Sequence, residues 1–358
     1  VGIAVYLQLL SIFSEGSLVE TGSANRKNPL VSAIVSTFNS ERFIRGKLED
    51  LLAQTIAQRL EIIVVNSGSL QDEDSVVKHY LKTYPSIKYI RTEHRETIYK
   101  AWNRGIAISS GKYLTNTNTD DRLRPDALEE MSDFLEHHSQ YAVVYGDQYI
   151  TNVENQPFSQ CRSRPVFGRL PFSRIRFLSG FCLGSQPMWR ASLHHEANLW
   201  FDESLEVAGD YDFFCQVAER FNFFFLNEVL GSYYLSENKS NKEHLNSALT
   251  DSESYLVQDK YARRYIAALR PEERKRLQRN LLFRCAVPKI FYSVVHRLLG
   301  GAKSKILPKL FWCWFASVVF EASGNRHLAI ALCKPYLKNP FAALIRRQYD
   351  RLLTGTAQ

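Results

Sequence analysis

The chain has 358 residues, 45% hydrophobic and 23% charged, an ordinary globular composition able to bury a core for one large domain and a smaller one. Its formal net charge of +8 favours anionic partners, but no aromatic-and-basic module of a nucleic-acid-binding type is visible, so no nucleic acid is expected. The six cysteines form no C-x-x-C pair and no metal-ligand spacing, which argues for free, packed thiols in a reducing, cytoplasmic setting.

The first 28 residues read as an apolar segment too short to span a bilayer, followed by a polar linker. From Pro29 the texture changes. Leu30 to Thr37 is short, apolar and β-branched, the pattern of a strand buried on both faces. Asn39-Ser40 can cap a helix from Glu41 to Gln54, with Phe43, Leu48, Leu51 and Leu52 as its apolar stripe. Leu60 to Val65 is a second buried strand that runs into the turn-forming stretch Asn66-Ser67-Gly68-Ser69. A helix over 72–84, a strand over 87–91 and a helix over 97–109 follow.

A fourth strand, Tyr113 to Thr117, then delivers Asp120 and Asp121, and Pro125 is placed to open the next helix. Strands alternating with helices at this pace predict an α/β fold with a doubly wound, mostly parallel, Rossmann-like sheet. Ligands of such sheets bind outside the strands' carboxyl ends, where Thr37, Asn66 and Asp120 all fall. Asp120 and Asp121 also have a plain reading as turn and N-cap residues.

Beyond the helix over 125–137, Ala142 to Tyr145 predicts a strand that stops at Gly146-Asp147. Residues 155–180 are basic and irregular and read as a loop. Phe181 to Arg190 is apolar, and its Trp189 either stacks on the ring of a ligand or packs in the core. Ala208-Gly209-Asp210-Tyr211-Asp212 opens a helix running to Phe221, and 223–226 and 231–235 read as two short closing strands. From residue 246 the chain reads as helical and basic. Its 310–337 segment resembles one tetratricopeptide unit, and its Phe311-to-Phe315 aromatic cluster reads as a core face or, secondarily, as a peripheral membrane contact.

Five motifs stand in order: Val-Ser-Ala-Ile-Val-Ser-Thr-Phe-Asn, Glu-Ile-Ile-Val-Val-Asn-Ser-Gly-Ser, Ile-Tyr-Lys-Ala-Trp-Asn-Arg-Gly-Ile, Gly-Lys-Tyr-Leu-Thr-Asn-Thr-Asn-Thr-Asp-Asp and Gly-Asp-Tyr-Asp-Phe-Phe. Over residues 29–240 the chain resembles family 2 glycosyltransferases of GT-A fold. It is similar to their inverting, spore-coat-enzyme-like group through the segment before Tyr99 and through Thr-Asp-Asp.

The resemblance implies a nucleotide-diphosphate sugar donor, Mn2+ or Mg2+ as cofactor, and single-displacement transfer with inversion. The acceptor would be a glycan, lipid-linked or protein hydroxyl in surface polysaccharide assembly. It divides the chain into an N-terminal segment (1–28), a GT-A domain (29–245) and a helical basic region (246–358). Contact with the inner face of the membrane is a secondary expectation for that last region. Carried over by position, Thr37, Asn66, Arg95 and Asn118 line the donor site, Asp120 and Asp121 hold the metal, and Asp210 is the catalytic base, with Asp212 as the alternative. Asn66 and Asn118 stand where the family has carboxylates.

Three other readings compete. A nucleotidyltransferase would want a Gly-rich phosphate loop after the first strand, and Ser36-Thr37-Phe38-Asn39-Ser40 is not one. A dehydrogenase would want G-x-G-x-x-G there. A non-catalytic nucleotide- or glycan-binding module draws support from the two asparagines.

Overall fold

The computed structural model describes residues 18–21, 29–162, 164–169, 171–172, 174–177, 181–236, 247–268 and 272. The chain divides into two compact units, residues 1–172 with 182–254, and residues 173–181 with 255–358. In the second unit, residues 174–177 and 255–268 are helical. The expected apolar segment at 1–13, the 310–337 hairpin and its aromatic cluster lie outside the described residues.

Among the described residues the first unit is built on nine strands in one sheet. These are β1 (Leu18–Thr21), β2 (Val31–Thr37), β3 (Leu60–Asn66), β4 (Ile87–Arg91), β5 (Tyr113–Asn116), β6 (Arg122–Leu123), β7 (Tyr141–Thr151), β8 (Met188–Arg190) and β9 (Asn222–Tyr234), in the spatial order β1-β4-β3-β2-β5-β8-β7-β9-β6. The main helices are α1 (Glu41–Leu52), α2 (Glu73–Leu81), α3 (Ile98–Ala107), α4 (Ala127–His137), α5 (Gly209–Ala218) and α6 (Ser247–Ala268).

The expected parallel block is β4-β3-β2-β5, with Thr37 opposite Asn66 and Asn66 opposite Arg91. The strand ends therefore lie level, and the loops after them share one edge. Alternate side chains of this block face opposite layers. Ala33, Val35, Ile62 and Val64 join Ile44, Leu48 and Leu51 of α1 and Val77 and Tyr80 of α2 in one core, while Ile34 and Ile63 pack onto Gly105 of α3. Layers on both faces explain why the middles of β2 and β3, residues 33–35 and 62–65, read as apolar runs.

Four boundaries differ from the sequence expectation, each for a local reason. Leu18–Thr21, inside the expected linker, pairs antiparallel with β4 and covers that edge of the block. The strand expected to stop at Gly146-Asp147 continues to Thr151, because those two residues sit at register shifts rather than at a turn. The two short closing strands are one 13-residue strand, β9, parallel to β7. Helix α4 starts at Ala127, after an Asp126 N-cap, so Pro125 precedes the helix and its carbonyl accepts from the Thr55 N–H at 2.9 Å.

Candidate functional site

At the carboxyl edge of the parallel block, Thr37 and Asn66 are buried, and each is tied into the protein. The Asn66 side chain accepts from the Ser69 N–H at 2.9 Å and donates to the Tyr89 hydroxyl at 3.0 Å. Tyr89 in turn donates to Asp74 at 3.0 Å. Burial raises the Tyr89 phenol well above its ordinary range. An asparagine suits this position because it has both a donor and an acceptor to offer, and an aspartate has only acceptors.

Thr37 donates to Glu73 at 3.3 Å, and the same Glu73 oxygen accepts from the Ser40 N–H and the Ser69 hydroxyl, both at 2.6 Å. The other Glu73 oxygen is buried without a hydrogen-bond partner. The sequence reading missed Glu73. Its signal was an acidic residue in the first turn of the helix that follows the Gly-Ser loop.

The turn after β3 presses on the loop after β4. Gly68 has φ +63, and a Cβ there would lie 2.8 Å from the His94 carbonyl carbon and 3.0 Å from the Glu93 oxygen. Arg95, exposed, lays its guanidinium 4.5 Å from the centre of the Phe38 ring, just beyond Thr37. Its neighbour Glu96 turns inward and makes a two-pronged pair with Arg104, 2.6 Å at each contact. Of the His94-Arg95-Glu96 cluster, Glu96 thus serves the fold and Arg95 faces the edge.

The acidic corner follows β5. Asp121 is buried and spoken for: one oxygen accepts from the Tyr234 N–H at 2.9 Å, the other from the Asn118 amide at 3.4 Å. Burial, reinforced by the neighbouring Asp120 charge, pushes its carboxyl up to about 7. Asp120 is half-buried, and burial also raises it, against the pull of Lys47, Arg122 and Arg42.

Lys47 is wholly buried, 3.4 Å from Asp50 and 3.3 Å from Gln186. Arg122 donates to the Thr119 and Asp121 carbonyls at 2.9 and 2.7 Å. Neither cation was picked out from the sequence, because the motif spacing says nothing of which helix crosses behind it.

The Asn118 side-chain oxygen, Oδ1, is buried with no hydrogen-bond partner. An unsatisfied oxygen two residues from Asp120 is the donor chemistry that a hard divalent cation takes. No group of three or more His, Cys, Asp or Glu side chains suited to a metal occurs among the described residues. The residues fit a cation that draws most of its shell from phosphate oxygens and water, with Asp120 and Asn118 as its protein side. Asp121, expected beside them as a ligand, has both oxygens engaged in holding the corner together.

Asp210 stands in the first turn of α5, half-buried. One of its oxygens accepts from the Tyr211 N–H at 2.7 Å and from the Tyr99 hydroxyl at 3.4 Å. Tyr99 belongs to the first turn of α3, which Thr97 caps and which starts just after Arg95, so Asp210 meets the same edge as the loop after β4. The Tyr99 ring fills the space where a Cβ on Gly209 would sit, at 2.5 Å. Asp212 points inward and is only 4% exposed.

The sequence left Trp189 between a sugar platform and a core residue, and it is core. It is fully buried and donates to His194 at 2.8 Å. Burial holds His194 neutral by lowering it to about 3, so the His194-His195 pair is structural. The residues just before Trp189 do reach the corner, since Ser185 accepts from Asn116 at 3.1 Å and Gln186 from Lys47.

Residues 32–196 match the family model described as "Glycosyl transferase family 2". That stretch is a family 2 glycosyltransferase domain. The chain is 25% identical to the chondroitin synthase of Escherichia coli over 61% of its length and 31% of that protein. It is 27% identical to a putative colanic acid biosynthesis glycosyl transferase of Escherichia coli K12, over 55% of its chain and 68% of that one. With the hyaluronan synthase of Pasteurella multocida it shares 26% identity over 59% of its chain and 21% of the relative. The chain thus spans about a third or less of the two synthases.

Among solved structures, Staphylococcus aureus TarS residues 1–349 in complex with UDP-GlcNAc aligns with TM-score 0.54 and 19% identity, covering 86% of this chain and 91% of that one. Longer TarS aligns with TM-score 0.53 at 19% identity, over 85% of this chain and 50% of that one. These likenesses establish the GT-A fold. No described helix is long and apolar enough to cross a membrane.

Proposed function

We propose that the domain transfers a sugar, with inversion, from a nucleotide-diphosphate sugar to a hydroxyl of a growing surface glycan. The reading rests on one observation above others. The Tyr99–Asp210 contact holds a half-buried carboxylate against the start of α3, just after the loop that carries Arg95, which supports reading Asp210 as part of the same site.

In this reading the base and ribose lie along Thr37, the Asn66 turn and Arg95. The Asn66 side chain shapes that wall from within, since its polar atoms are already used. Asp120 and the Asn118 side-chain oxygen would hold Mn2+ or Mg2+, which when bound supplies positive charge to the departing diphosphate. Asp210 takes the acceptor hydroxyl's proton as the oxygen attacks the anomeric carbon, and the Tyr99 hydroxyl holds that carboxylate in place. Lys47 and Arg122 keep the corner's field from being wholly acidic. The relatives named for polysaccharide synthesis support a glycan acceptor.

The test is a panel of nucleotide sugars with Mn2+ or Mg2+, read by mass spectrometry and by the anomeric configuration of the product. Asp210→Ala should lower turnover by about a hundredfold or more while leaving nucleotide binding within a few-fold. Unchanged turnover in that variant would remove Asp210 as the base.

A further inference from the structure

The loop that leads into Asp210 carries an internal counter-charge. The backbone N–H of Glu206 donates to both oxygens of Glu253, at 2.9 and 3.2 Å. The N–H groups of Val207 and Ala208 donate to one of the same oxygens at 2.8 and 3.0 Å. Three successive amides thus converge on one carboxylate that is 7% exposed, contributed from α6. Consecutive N–H groups arranged in this way form a concave anion-binding nest.

The need for it is local. Glu206, Val207 and Ala208 precede α5, so no carbonyl of that helix is placed to accept from their amides. On the other side, Asn103 of α3 holds the chain at Phe201 and Glu203. Between that clamp and α5, the Glu253 carboxylate is what gathers the 206–208 backbone. Two residues further on, Asp210 meets Tyr99.

We propose that Glu253 is a positioning residue for the transfer reaction, fixing the 206–208 backbone so that Asp210 stands at the acceptor hydroxyl. The inference rests on reading Asp210 as the base. Without Glu253 three amides, one of them fully buried, lose their acceptor, and the loop finds other arrangements. An offset of about an ångström at a reacting group is enough to cost roughly a hundredfold in rate. Donor binding should be spared, because Thr37, Asn66 and Arg95 stand on β2, β3 and the loop after β4.

The experiment uses the full chain and three variants, Glu253→Ala, Glu253→Gln and Asp210→Ala, with the double variant Glu253→Ala/Asp210→Ala. Hydrogen exchange read by mass spectrometry needs no donor. Glu253→Ala should speed exchange over 206–210 by about tenfold or more and leave 60–70 and 113–123 unchanged. With the nucleotide sugar that the wild type hydrolyses fastest, Glu253→Ala should lower kcat by about tenfold to a hundredfold at unchanged KM.

Glu253→Gln, which keeps one oxygen for Val207 and Ala208, should recover most of that loss. The double variant should be no slower than Asp210→Ala. Unchanged exchange over 206–210, or a loss that adds in full to that of Asp210→Ala, overturns the proposal. An active Asp210→Ala overturns the reading of the base instead, and shows itself without reference to Glu253.

Discussion

Asp121→Asn should stabilise the metal-free protein at alkaline pH and do little at acid pH. The Asp121 carboxyl is pushed up to about 7 by burial and by Asp120, whereas its ordinary value is 3.8. Between those two values the unfolded chain has lost this proton and the folded chain still holds it, so stability falls as pH rises through the window. Above pH 7 the full cost is present. Three units correspond to about 4 kcal/mol as an upper bound, or roughly 10 °C in Tm for a domain of this size.

The asparagine can keep the Tyr234 N–H as donor, and the Asn118 side-chain oxygen, now without a partner, can accept from the new amide if Asn118 turns over. The assay is thermal unfolding in EDTA at pH 5 and pH 8.5. The variant should gain several degrees over wild type at pH 8.5, with a much smaller difference at pH 5. Unfolding temperatures that differ by the same amount at both pH values would refute the charge argument and leave only packing.

The remaining predictions concern the donor edge and the core. Gly68→Ala must move the 93–95 backbone or strain its own φ, so it should cost about 1–3 kcal/mol in chemical unfolding and weaken the thermal shift given by nucleotide diphosphates. Asn66→Asp removes the donor to Tyr89 and sets two carboxylates against one phenolic proton. A loss of about 1–3 kcal/mol in urea unfolding is expected, and no loss would mean Tyr89 is free to turn away. His194, lowered to about 3, should show no imidazole titration by NMR between pH 5 and 8. Because the unfolded chain takes up that proton below about 6.5 and the folded chain does not, His194 should contribute a loss of stability as pH falls from there towards 3.

The parallel block could be read from residues alone because burial on both faces leaves a plain apolar signature. Ala33, Ile34 and Val35 are all fully buried, so the middle of β2 reads as apolar although Ser32 and Ser36 flank it. The second half of the sheet was harder to read. Gly146-Asp147 and Gly231 look like turn residues, yet Gly146 lies at a bulge in β7 and Gly231 pairs with Leu123 of β6. Two-residue β6 has no sequence pattern at all.

In the site, the motif positions fell at one edge because strand ends in such a sheet are level. The engagement of their side chains was not legible. Whether Asn66 faces a ligand or a tyrosine depends on Tyr89, 23 residues away, and whether Asp121 is open depends on Tyr234. Lys47 and Glu73 looked like ordinary polar positions of their helices until the fold brought them beside Gln186 and Thr37.

The chain Asn66–Tyr89–Asp74 has a consequence for altering the donor. It is a one-way row of hydrogen bonds, each group giving its proton to the next, and it ends on a carboxylate. A change at its head reverses the demand on every later member. In the proposed reading, the wall beside the base therefore behaves as a three-residue unit drawn from β3, β4 and α2. Redesigning its recognition means changing the row as a unit, for example pairing a carboxylate at 66 with a neutral residue at 74, so that the Tyr89 hydroxyl can turn to face the strand end.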